Sequence, residues 1–219
     1  MSDIDWQSNG GRRWYVHESG QIICEDMAQE SSQMGNTPIH GGYLYRSPGE
    51  PTSMRLCLSD FRNDLVEAHG LFNIPIHWIM GMMKIEATPI GGTLHLSCVC
   101  VREEPGFTSD AATPNKVSPG LMQTLISTAQ GVSDMLPSLP RPVNRYDLMH
   151  PRASILHGAA YMRKQLDKYG EDPVLLVGSY NAGGVYEDDN VWNLRTYSDT
   201  RVDRFCSYAN DALAVLNES

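Results

Sequence analysis

From Ser59 onward, apolar residues recur three and four positions apart in one segment after another, with prolines and glycines between several of them. That period puts the apolar side chains on one face of a helix, so this part of the chain is expected to be a small helical domain. Ser59 is placed to cap a first helix carrying Phe61, Leu65, Ala68 and Phe72, which should end near Asn73. Pro75 opens a second, IPIHWIMGMMKIEA, in which Ile76, Ile79, Met83 and Glu86 share a side while His77 and Lys84 are left to face water. Ser118 and Pro119 read as cap and first position of a third helix, bearing Leu121, Met122, Leu125, Ile126, Ala129 and Val132. A fourth carries Ile155, Ala159, Met162, Leu166 and Tyr169; Asp172 and Pro173 start a short fifth that stops at the NAGG turn; a last one spans about residues 200–216. Between the second and third helices lies a non-helical insert, residues 91–116, with the strand-like LHLSCVCV and the turn EEPGF. The fold class expected is mainly α with a small β-hairpin insert.

Residues 1–58 differ in texture: they are rich in Gly, Ser, Gln and Asn, with the short aromatic strand-like pieces RRWYV and GGYLY between turn formers. They read as an irregular or β N-terminal appendage, a possible docking segment, set against a helical domain over residues 59–219. Seventeen basic against 26 acidic residues give a formal charge of −9 and argue against a nucleic-acid partner, which calls for a basic face. No run of residues approaches the roughly 18 apolar positions of a membrane span, and MSDIDWQSNGG lacks the basic-then-apolar order of a secretory signal. Cys24, Cys57, Cys98, Cys100 and Cys206 include no CxxC pair, and on a strand Cys98 and Cys100 would face away from His95. They read as free thiols, with no metal site and no cofactor implied.

Glu86 is the first candidate for chemistry. A carboxylate ending a stripe of Met and Ile is partly desolvated, which raises its pKa, and a carboxylic acid still protonated near neutrality is equipped to donate to a leaving oxygen. With IMGMMKIEA around this residue, the ordered segments SPGLMQTLISTA, YDLMHPRASILHGAAYM and SYNAGGVY resemble the lytic transglycosylases of glycoside hydrolase family 23, from about Ser59 to Ala214. VREEPGF is similar to a turn found in a subset of them, many from phages. The resemblance implies a lysozyme-like helical fold and peptidoglycan glycan strands as substrate.

It also implies roles for particular residues. Glu86 would be the single catalytic acid and base; Gln123 would hydrogen-bond the sugar near the scissile bond; Tyr180 and Asn181 would position Glu86 and substrate; Gly120, Leu121 and Met122 would shape the cleft wall. Leu121 and Met122 serve equally as core, and Gly183 as a helix C-cap. Gln123, among Leu and Met, is costly to bury without partners. Ala87 stands where family members commonly have Ser, Leu125 where they have Met, and His150 and Ser154 where they tend to have Asp and Asn. The 37 positions from Glu86 to Gln123 (123 minus 86) exceed the usual spacing, so the insert is expected to line the cleft rim.

With one carboxylate, the implied chemistry is cleavage of the bond between N-acetylmuramic acid and N-acetylglucosamine with closure of a 1,6-anhydro ring, the sugar's own hydroxyl replacing water. Glu103, Glu104 and Asp110 in the insert are candidates for a second carboxylate, which would make the protein a hydrolysing muramidase of goose-lysozyme type. A structural tail hub that keeps a lysozyme-like domain is the non-enzymatic alternative. Lacking a signal peptide, an enzyme of this kind would reach the periplasm by phage lysis, through a secretion machine or, the route favoured here, as a virion component, with residues 1–58 docking it to tail or baseplate proteins.

Overall fold

The computed structural model describes residues 6–8, 12–25, 37–39, 41–47, 51–87, 95–187, 189, 193–195 and 199–218. Among these, an N-terminal antiparallel sheet is formed by β1 (Gln7–Ser8), β2 (Arg13–Val16), β3 (Ile22–Cys24), β4 (Thr37–Ile39) and β5 (Gly42–Leu44), in the order β1-β2-β3-β5-β4. A two-stranded hairpin pairs β6 (Val101–Glu103) with β7 (Val117–Pro119). The helices are α1 (Thr52–Phe72), α2 (Ile76–Glu86), α3 (Ile126–Gln130), α4 (Arg145–Met149), α5 (Pro151–Tyr169), α6 (Pro173–Ala182) and α7 (Asp199–Glu218). No described helix is long and apolar enough to cross a membrane.

The apolar stripes read from the sequence supply the core. Phe61, Leu65, Ala68 and Phe72 of α1, Ile79 and Met83 of α2, Ile155, Ala159, Met162 and Leu166 of α5, and Val202, Phe205 and Ala209 of α7 are all buried in one cluster. α2 lies along α7, and α1 packs on α5. Gly81 makes the first approach possible, since a Cβ there would stand 3.2 Å from the backbone nitrogen of Ala209. Helix ends follow the local chemistry: α1 stops at Asn73 in the left-handed conformation, Asp172 caps α6 through the Val174 and Leu175 amides, and Gly183 at φ +75° ends it.

The N-terminal sheet is built into this core. Trp14, Ile22, Cys24 and Tyr45 are buried in the same cluster as the helices. Arg12 forms a buried ion pair with Asp203 of α7 (2.6 Å), and Trp14 donates its indole N–H to Asp172 (3.0 Å). Asn210 of α7 replaces a missing strand partner: its Oδ1 accepts from the Ile22 amide (2.9 Å) and its Nδ2 donates to the Ile22 and Tyr45 carbonyls (3.0 Å each). Arg46 and Ser47 both bond Asp211.

Four local expectations are corrected. Helix begins at Thr52, ahead of Ser59, and a kink at Phe61 (φ −127°, ψ 16°) separates that first stretch from the one expected after Ser59. His77 and Lys84 do not face water: they are 7% and 8% exposed, His77 bonding the Gly20 carbonyl (3.2 Å) and Lys84 lying over the Tyr208 ring. The strand expected over LHLSCVCV survives only from Val101, because β7 offers just three residues to pair with, and Ser97–Cys100 form a turn; residues 88–94 lie outside those described. Ser118 and Pro119 start no helix. They belong to β7, and Gly120 at φ +81° turns the chain so that α3 begins only at Ile126.

Candidate active site

A cleft of about 780 Å³ opens where the C-terminal end of α2, the hairpin, the turn after β7, α6 and α7 converge. Glu86 stands at the last position of α2, 4% exposed, on its wall. Burial pushes its carboxyl pKa up, opposed by the guanidinium groups of Arg201 and Arg102. Arg201 of α7 hydrogen-bonds Glu86 Oε1 directly.

The turn after β7 is held from both sides. Gly120 donates its amide to the Cys100 carbonyl (2.8 Å), and Ser154 Oγ accepts the Met122 amide (3.1 Å). Any side chain at Gly120 would collide with the Leu148 carbonyl, 2.0 Å from an added Cβ. Gln123 follows in the left-handed conformation, φ +45°, and is 6% exposed. Its Nε2 donates to the Gly120 (2.8 Å) and Cys100 (3.0 Å) carbonyls, which fixes the amide's orientation; the side chain lines the cleft, and its Oε1 is buried without a partner among the described residues. A buried acceptor left open in this way is suited to an N–H or O–H of a ligand.

Tyr180 completes the inner wall. Its hydroxyl donates to the Met122 carbonyl (2.9 Å), which leaves Thr124 Oγ1, also 2.9 Å away, to donate to it. Burial foremost, and then the nearby Glu86 charge, raise the Tyr180 pKa, so the phenol stays neutral. The Tyr161 ring packs against it at a tilt of 56°, centroids 5.1 Å apart.

The structure thus gathers Glu86, Gln123, Tyr180, Asn181 and Glu104 on one cleft. Met122 and Gly120 lie behind it: the Met122 side chain is fully buried, so close to α5 that a Cβ at Gly158 would meet it at 2.5 Å. Glu103 points elsewhere, to Arg145 at 2.8 Å. Sequence reasoning missed Arg201, Arg204 and Tyr208, which bring α7 to the cleft. Their three- and four-residue spacing is a second, polar stripe on that helix, legible in principle beside the apolar one. Among the described residues no group of three His, Cys, Asp or Glu is placed to hold a metal ion.

Residues 93–200 match the model of the transglycosylase SLT domain, a span that begins just past Glu86 and takes in Gln123, Tyr180 and Asn181. No curated protein matches the chain in sequence. Among solved structures, an inactive mutant of the lytic transglycosylase Slt from Pseudomonas aeruginosa is similar in fold, with a TM-score of 0.51 at 18% identity over 75% of this chain. The match covers 25% of that protein's length. The likeness is one of fold, mainly α and lysozyme-like; the N-terminal β region is described for this chain alone.

Proposed function

The chain carries a transglycosylase SLT domain, and from that premise we propose that it is a peptidoglycan lytic transglycosylase with Glu86 as its acid and base. The observation that carries the reading is Glu86 itself: a carboxyl group buried at the end of an apolar helix face, on the wall of a cleft large enough for sugar rings. Protonated Glu86 gives its proton to the oxygen between muramic acid C1 and the N-acetylglucosamine that leaves. The C1–O bond breaks, the muramic acid 6-hydroxyl closes on C1, and its proton returns to Glu86, which ends the cycle as it began. Holding the 6-hydroxyl beside C1 makes the second step unimolecular, so no water needs a base of its own.

The remaining groups position the sugars. Gln123 Oε1, fixed by the two bonds to its Nε2, accepts from the substrate near the scissile bond. Tyr180 and Thr124 brace the turn that carries Gln123. Glu104, which lines the same cleft, favours a second reading, in which it activates a water and the products are hydrated. Mass measurement of muropeptides released from purified peptidoglycan separates them: anhydro-muramic ends, one water lighter, support the first reading, and reducing ends the second. Glu86→Gln should lower the rate by about 100-fold to 10,000-fold with the fold retained; near-normal turnover would remove Glu86 from the mechanism.

A further inference from the structure

The cleft has the opposite sign to the protein around it. The chain carries a formal charge of −9, yet among the described residues Lys84, Arg102, Arg201 and Arg204 line the cleft against two carboxylates, Glu86 and Glu104. The N-acetylated sugars of a glycan strand are neutral and give such a field nothing to hold. The charge of peptidoglycan resides on its peptide stems, whose free carboxylates flank the muramic acid.

Arg201 is the cation placed to respond. Its side chain is 14% exposed, one edge is bonded to Glu86, and its Nε is buried without a partner among the described residues. A guanidinium offers a planar fork of donors that matches a carboxylate on two atoms at once, so the present arrangement leaves half of that fork unused. The bond it does make opposes the chemistry, because a cation against Glu86 favours the form that has no proton to give.

We propose that Arg201 reads the substrate's peptide stem: as a stem-bearing strand enters, the guanidinium leaves Glu86 for a stem carboxylate, with Arg102 and Arg204 on either side, and so releases the acid. Stems are then both a binding determinant and the trigger for proton uptake by Glu86. Once Arg201 has moved, the titratable and charged groups that line the cleft with Glu86, among the described residues, are the phenols Tyr161, Tyr180 and Tyr208, the cations Lys84, Arg102 and Arg204, and the carboxylate Glu104. Burial, the largest influence on Glu86, is then opposed by one close guanidinium fewer.

The inference rests on the transglycosylase reading, and its test separates the two. Initial rates are measured against pH on glycan strands whose stem carboxylates are free and on the same strands with those carboxylates capped as methyl amides, which keeps the stems and removes only their negative charge. For the native protein, kcat/KM should be about tenfold or more higher on the uncapped strands, as expected for one charge-assisted contact. The alkaline limb of the kcat profile, which reports the bound complex, should lie at higher pH on those strands than on capped ones. Arg201→Gln should abolish the preference and bring the two limbs together, while Arg201→Lys, with the charge but not the fork, should retain part of it. Equal native rates on both substrates, or a preference that survives in Arg201→Gln, would overturn the proposal. If the native protein cleaves neither, the transglycosylase reading fails. Calorimetric binding of uncapped and capped fragments to the native protein and Arg201→Gln then still decides about Arg201, and equal affinities would refute it.

Discussion

Replacing Asn210 by Ala tests whether the N-terminal sheet and the helices are one folding unit. The substitution removes three hydrogen bonds, of 2.9, 3.0 and 3.0 Å, and strands the Ile22 amide and the Ile22 and Tyr45 carbonyls where water does not reach, since both residues are fully buried. A buried backbone group without a partner costs about 1–3 kcal/mol. Three of them, with partial relief from the second lone pair of each carbonyl, cost about 3–5 kcal/mol, a large share of the roughly 5–15 kcal/mol that holds a domain together. For a chain of this size, each kcal/mol lowers Tm by about 2–4 °C, so the variant should melt roughly 10 °C or more below the native protein. Urea titration followed by both far-ultraviolet dichroism and tryptophan fluorescence is the assay. The midpoint should fall with the slope unchanged, and the two probes should coincide, because Trp14 of the sheet is buried in the helical core. A loss below about 1 kcal/mol, or fluorescence that changes well before the helices melt, would refute a shared core.

Three further outcomes follow from the packing. Burial lowers the His77 pKa from 6.5 to about 4, so between those values the unfolded chain binds more protons than the folded one; stability present above pH 6.5 should fall by about 3 kcal/mol as the pH drops through 4, and a His77→Gln variant should lack that part of the acid transition in pH-dependent urea titrations. Gly120→Ala forces a Cβ to 2.0 Å from the Leu148 carbonyl at φ +81°, so thermal melting should show a loss of at least about 2 kcal/mol, and cleavage should drop as the Gln123 turn shifts; a native-like Tm would mean the turn is not tightly fixed. Deleting residues 1–50 removes Arg12 from Asp203 and uncovers the core beneath Trp14 and Tyr45, and should give an insoluble or non-cooperatively melting protein; a truncated chain that is soluble and melts sharply would show that the helices suffice.

What the sequence displays is what repeats locally. The stripes of α1, α2, α5 and α7 are visible because a helix writes its buried face every three or four residues, and Glu86 is conspicuous because it closes such a stripe. Gln123, Tyr180 and Asn181 are legible through the order of short segments rather than through any period. Arg201 is not legible at all as a partner of Glu86, 115 positions away, since nothing in a sequence marks which cation a fold will bring to a carboxylate. The N-terminal sheet fails for a related reason. Its strands are two to four residues long, too short to show alternation, and the contacts that fix them, such as Asn210 with Ile22, span 188 positions. Ser118 and Pro119 mislead because a serine followed by proline suits a strand end before a turn as well as a helix start; Gly120 decides between them.

The two sides of the cleft are fastened unequally. α7, which presents Arg201 and Arg204, is clamped from behind along its length by Arg12 at Asp203, by the sheet carbonyls at Asn210 and by Arg46 and Ser47 at Asp211. The hairpin opposite rests on a small separate cluster of Val117, Ile126, Ala129 and Leu148, and is tied down chiefly by Arg145, which grips Glu103 and Asp110 while lying over the Phe107 ring. One wall of the cleft is therefore fastened along its length to the sheet, and the other stands on a small foundation of its own. On the transglycosylase reading, any give on substrate entry falls to the hairpin, and Glu86 keeps its aim against α7.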